Sequence, residues 1–88
     1  MDNKITTKEF LRVFDYIRSS GKQLDNQYQL GEISARHDYD GYTCWLSYKD
    51  VTVTLMFHGS LKIEYDKASN YEDFINHCLA ILATKPSH

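Results

Sequence analysis

Between Tyr28 and Asp66 the chain alternates apolar and polar side chains through four successive runs, and a one-sided helical stripe lies on either side of that stretch. Alternation with a period of two assigns each residue to one of two sheet faces, so a pattern this long leaves few folds open. The runs predict strands over 28–37, 42–48, 51–57 and 61–65. In the first, Tyr28 and Leu30 share one parity while Ile33, Ala35 and His37 share the other. Gly31 stands at the switch, where a glycine can form a bulge that re-aims a strand.

The joins set the register. Asp40-Gly41 is a two-residue hairpin signal. It pairs Ile33, Ala35 and His37 with Tyr48, Leu46 and Cys44. A second two-residue join at Lys49-Asp50 pairs Leu46 with Val53 and Cys44 with Leu55. A three-residue join over His58-Gly59-Ser60 pairs Leu55 with Ile63 and Val53 with Tyr65. All of these pairs lie on one face, and slipping any strand by one residue would destroy that agreement.

The first helix is expected over 7–20. Thr6-Thr7-Lys8-Glu9 fits a capping box, with Ile5 and Phe10 as the hydrophobic staple. Phe10, Val13, Phe14 and Ile17 recur at helical spacing, and Leu11 widens the stripe. Gly21 is read as the residue of a left-handed C-terminal turn. The second helix is expected over 70–83, with Ser69 and Glu72 as another capping box. Its stripe is Tyr71, Phe74, Ile75, Cys78, Leu79 and Leu82, and Thr84-Lys85-Pro86 ends it. One strongly apolar sheet face and two one-sided helices predict a two-layer α+β fold. In it a helix, a four-stranded antiparallel meander and a helix follow in order, with both helices packed on one face of the sheet.

Eighty-eight residues, 42% hydrophobic and 25% charged, suit one domain spanning 1–88. A net charge of −2 with no run of Lys and Arg disfavours nucleic acid and anionic membranes as partners. The polar start Met1-Asp2-Asn3-Lys4 is unlike a signal peptide, and no apolar run reaches bilayer length, so a soluble cytoplasmic protein is expected. Both cysteines, Cys44 and Cys78, fall on core positions and are expected to be reduced.

What is left for function is the opposite sheet face. It carries Thr43 and Trp45, then Thr52, Thr54 and Met56, with Trp45 opposite Thr54 and Thr43 opposite Met56. An exposed Trp beside Met and a row of threonines reads as a docking surface. A solvated face with Arg36 or Lys62 lying over the indole is the plain alternative. An edge strand, 28–37 or 61–65, is a further route to self-association.

A second class of reading places a small-ligand or enzyme pocket between helices and sheet, lined by His37, Tyr48, Tyr65 and Tyr71. Cys44 with His37 is the sole enzyme constellation to be assembled, and burial of the thiol argues against it. No catalytic or cofactor-binding residue is assigned, because no such motif stands out, and no metal ligand is assigned, because no C-x-x-C or H-x-x-x-H spacing supports zinc. Asp38-Tyr39-Asp40-Gly41 resembles part of a calcium loop but lacks the later ligands, so turn chemistry accounts for it. The helix, strands, helix order also invites comparison with double-stranded-RNA-binding domains. Those need basic residues where this chain reads Ser69-Asn70-Tyr71-Glu72-Asp73.

Gly31-Glu32-Ile33-Ser34-Ala35, Asp38-Tyr39-Asp40-Gly41-Tyr42-Thr43 and Val53-Thr54-Leu55-Met56-Phe57-His58 together resemble a family of short uncharacterised bacterial proteins. The resemblance covers most of the chain. It implies a bacterial cytoplasmic protein without an assigned activity, and it carries over no functional residues.

Overall fold

The computed structural model describes residues 5–38, 42–56 and 58–83. Helix α1 (Thr7–Ser20) is followed by six strands and then by helix α2 (Ala68–Ala83). The strands are β1 (Lys22–Leu24), β2 (Gln27–Leu30), β3 (Ile33–His37), β4 (Cys44–Tyr48), β5 (Val51–Leu55) and β6 (Leu61–Glu64). They form one antiparallel meander in sequence order.

Among the described residues six strands replace the expected four, and the reasons lie at Gly31 and at Asp25-Asn26. The parity switch at Gly31 is a chain reversal rather than a bulge. Leu30 pairs with Ile33 across a two-residue turn, and Gly31 takes φ +63. Positive φ at the first loop residue is what such a hairpin needs, and glycine adopts it without steric cost. The strand expected over 28–37 is therefore two strands. Upstream of it, Asp25-Asn26 makes another two-residue turn, with Asp25 at φ +54. That turn folds Lys22–Leu24 back onto Gln27–Gln29.

Across the next two joins the expected register is found. His37 pairs with Cys44 and Ala35 with Leu46; Cys44 pairs with Leu55 and Leu46 with Val53. The Asp40-Gly41 turn itself lies outside the described residues. Lys49 opens the following turn at φ +53, a conformation that costs a non-glycine residue about 1–2 kcal/mol.

The last hairpin departs by two residues. Val53 pairs with Ile63 and Leu55 with Leu61, not Val53 with Tyr65 and Leu55 with Ile63. The Met56 N–H donates to Ser60 O at 2.8 Å, and the Gly59 N–H donates to Met56 O at 2.9 Å. Gly59, at φ +93, is therefore the last residue of the loop rather than its middle. A three-residue hairpin places its left-handed residue there. A two-residue slip keeps every side chain on its face, which is why the face assignment survives.

The Thr6 cap is as expected. Its hydroxyl accepts from the Glu9 N–H at 3.1 Å, and Glu9 Oε1 accepts from the Thr6 N–H at 3.0 Å. Phe10, Val13, Phe14 and Ile17 are buried, each contributing about 1.5–3 kcal/mol by leaving water. Leu11, expected to widen this stripe, is 47% exposed. Gly21 is extended at φ −82 and ψ 175, not left-handed. Helix α2 starts at Ala68, so Ser69 sits inside its first turn. The cap arrives from another element, because Asp50 Oδ2 accepts from the Lys67 N–H at 3.0 Å. The stop expected at Thr84-Lys85-Pro86 lies outside the described residues.

Phe10, Ile17, Phe74 and Cys78 from the helices join Ile33, Ala35, Leu46, Tyr48, Val51 and Val53 from the strands in a single buried cluster. The helices also touch each other, α1 resting on β2 and β3 and α2 on β5.

Candidate functional site

The alternate residues of the strands form two continuous rows on the other face. One row runs Leu24, Gln27, Arg36, Trp45, Thr54, Lys62 through the paired positions of all six strands. The second runs Lys22, Gln29, Ser34, Ser47, Thr52, Glu64. Trp45 and Thr54 are thus neighbours, as the alternation requires. Thr43 and Met56 lie at the end of this face, each tied into a turn. Thr43 O accepts from the Asp38 N–H at 2.7 Å, while Met56 closes the last hairpin.

Trp45 is half-buried, and the Arg36 guanidinium carbon sits 4.3 Å from the centre of its ring. A cation in that place is attracted by the ring face, worth about 0.5–1 kcal/mol at an exposed site. Among the described residues no carboxylate lies within ion-pair distance of Arg36. Its charge is held on the indole and open to solvent. Thr54 is 8% exposed, flanked in its row by the larger Trp45 and Lys62. Thr43, Thr52 and Met56 are half-buried.

A cleft of about 530 Å³ opens beside this pair, lined by Gln23, Asp25, Asn26, Tyr28, Arg36, His37, Asp38 and Trp45. The Asp25-Asn26 turn supplies part of this wall, and that dipeptide is the one sequence signal from which the wall could have been found. His37 keeps the inner-face parity, paired with Cys44 and beside Phe14, but is exposed there. Its Nδ1 lies 3.0 Å from the Asp38 carbonyl. A carbonyl can only accept, so Nδ1 carries the proton and Nε2 of the neutral ring is left as an acceptor.

The four residues suggested for an inner pocket are not gathered in one place. Tyr65 stacks on Tyr71 at 4.9 Å, Tyr71 meets Phe74 at 6.5 Å, and Phe74 meets Tyr48 at 6.3 Å. His77 completes the run, 5.0 Å from Tyr48. His37 stands apart beside Phe14, at 6.5 Å. Tyr48 itself is only 3% exposed.

Cys44, the cross-strand neighbour of His37, is half-buried, and burial pushes its thiol pKa up. For Cys78, burial and then the Glu9 carboxylate push it up to about 12. A thiol so placed stays protonated and inert at neutral pH, since the thiolate is the nucleophile. Alkylation of Cys78 by iodoacetamide at pH 8 is therefore expected to wait on unfolding. In mass-spectrometric labelling it should lag Cys44 by at least tenfold and accelerate in urea. The sign for stability follows. The unfolded thiol ionises near pH 9 and the folded one near 12, so the folded state loses up to about 1.4 kcal/mol per pH unit across that window.

Among the described residues no three His, Cys, Asp or Glu side chains gather as a metal site, and no helix is long and apolar enough to cross a membrane. Residues 5–88 match the model of a family described as Protein of unknown function (DUF3081). No curated protein and no solved structure matches the chain.

Proposed function

The chain belongs to that family, and from its own geometry we propose that it is a non-enzymatic interaction module whose working surface is the outer sheet face. Two layers, with both helices on the inner face, leave that face for a partner. The observation that carries this reading is the Arg36–Trp45 pair at its centre. A guanidinium with no carboxylate within ion-pair distance among the described residues, set on a half-buried indole, suits a protein surface that presents a carboxylate next to an apolar side chain. Arg and Trp are the residues that most often dominate binding energy at such contacts. Met56 and Thr43, Thr52 and Thr54 supply the surrounding area.

The test is a photo-reactive residue placed at Thr52 in cells, with the same residue at Arg12 on α1 as control. Crosslinks to a defined protein are expected from the sheet position and not from the helix. Trp45→Ala should reduce them at least tenfold while the circular dichroism stays folded, the half-buried indole costing about 2 kcal/mol in lost packing and cation–π contact together. Equal capture from both positions, or capture unaffected by Trp45→Ala, rejects the reading.

The cleft favours a second reading. Its aromatic walls, the Arg36 charge and the Gln23 and Asn26 amides form a mixed lining of the kind that holds a small polar ligand. A ligand there would shift the emission of Trp45 in the purified protein with no second protein present.

A further inference from the structure

Among the described residues the two margins of the sheet are β1 and β6, because each pairs there with one neighbour only. An edge strand presents unpaired backbone groups, and proteins usually blunt it with short length or unanswered charge. β1 is blunted in both ways: three exposed residues, with Lys22 and no acidic side chain. β6 is different. Leu61 and Ile63 are half-buried on the inner face, and Lys62 and Glu64 are exposed on the outer one. Lys62 Nζ lies 3.7 Å from Glu64 Oε2.

The hydrogen bond from Met56 to Ser60 fixes which backbone groups are free. Hydrogen-bonded and non-hydrogen-bonded pairs alternate along an antiparallel ladder. Counting from Met56–Ser60, the pairs Thr54–Lys62 and Thr52–Glu64 are hydrogen-bonded. The N–H and C=O groups of Lys62 and Glu64 therefore face β5, while those of Leu61 and Ile63 face the open margin.

We infer that β6 pairs antiparallel with β6 of a second copy of this chain, about a two-fold axis at Ile63. In that register Ile63 meets its own copy in a hydrogen-bonded pair, using the free N–H and C=O of both strands. Lys62 stands opposite the second copy's Glu64, and Glu64 opposite its Lys62. These are non-hydrogen-bonded positions, where side chains approach most closely. Leu61 comes opposite the second copy's Tyr65, which is 44% exposed and stacked on Tyr71. Moving the axis to Lys62 or to Glu64 would set that residue against its own copy's like charge, which the axis at Ile63 avoids. The helices rest on β2, β3 and β5, so the second copy adds cover to the flank of Leu61 and Ile63. The surface is separate from the Arg36–Trp45 pair and does not depend on its role.

A short edge contact belongs with small, transient interfaces, so the dimer is expected to populate on the order of tens to hundreds of micromolar. Sedimentation velocity of the full chain, from about 10 μM to about 1 mM in low salt, should show it. Lys62→Glu and Glu64→Lys each set like charges across both symmetry-related pairs and should weaken dimerisation by roughly tenfold or more. Mixed in equal amounts, the two variants place two carboxylates opposite two ammonium groups, and dimer should return as a heterodimer. Ile63→Pro removes the edge-facing N–H without touching the β5 ladder, and should also abolish the dimer while the circular dichroism stays folded. A wild-type chain that is monomeric throughout the range overturns the proposal. So does a dimer indifferent to the single substitutions, or single variants whose mixture stays monomeric.

Discussion

Replacing Gly21 with alanine is expected to destabilise the protein by about 2–3 kcal/mol, the upper range for forcing extra atoms into a packed site. The cause is space and not backbone conformation. Gly21 is extended, at a φ open to any residue. A Cβ built on it would stand 2.6 Å from Ile17 O and 2.7 Å from Gln29 O. Both are backbone atoms, one at the end of α1 and the other on β2, so neither can swing aside as a side chain would. Relief requires the helix terminus or the strand to move. Movement would stretch the 2.7 Å bond from the Gly21 N–H to Ile17 O and the pairing of Lys22 with Gln29. Gly31 gives the control. It is left-handed, at φ +63, with nothing within 4 Å of its virtual Cβ. Gly31→Ala should cost about 1 kcal/mol of conformational strain alone. Urea melts followed at 222 nm should rank Gly21→Ala as the more damaging. If it proved neutral, or stabilising through reduced unfolded-chain entropy, the close approach of helix and strand would be wrong.

That contact also explains a limit of sequence reading. A glycine after a helix reads as a left-handed cap, and nothing local reveals a strand crossing behind it. The inner face of β3 to β5 was legible because Ala35, Leu46 and Val53 repeat one parity through joins of short, countable length. β1 was not, and β2 was legible only as the start of a longer strand, because Lys22, Gln23, Gln27 and Gln29 are polar on both faces at a sheet margin, where little apolar surface is buried to enforce alternation. A signal existed at Leu30-Gly31-Glu32-Ile33. Apolar residues three apart across a glycine share a face if the chain reverses, and a bulge was the less economical reading. The last hairpin slipped by two because only the backbone demand for positive φ at Gly59 says which loop position the glycine fills. On the outer face, Trp45 and Thr54 were placed together by parity alone. The cleft beside them was hidden, since it needs the Asp25-Asn26 turn and hence β1.

The second large effect is Phe10→Ala, expected to cost about 3–5 kcal/mol. Phe10 is the first apolar residue of α1 and has no exposed surface, and its ring stacks on Phe14 with centroids 6.2 Å apart. Its neighbours above the sheet are themselves in the buried cluster, so truncation opens a cavity that close-packed surroundings fill only in part. A domain of this length holds about 4–13 kcal/mol in total, so the variant should lose between about a quarter and all of it. Leu11 is the informative comparison. It is one residue on, equally apolar, and 47% exposed. Leu11→Ala removes a side chain that leaves water only in part and should cost under about 1 kcal/mol. The two substitutions share helix and turn, and their propensity changes differ by only about 0.3 kcal/mol, so the difference between their urea midpoints reports chiefly burial. A Leu11 variant as damaging as the Phe10 variant would mean that this side of α1 is covered in solution. Phe10→Ala would then have to be compared again in whatever assembly covers it.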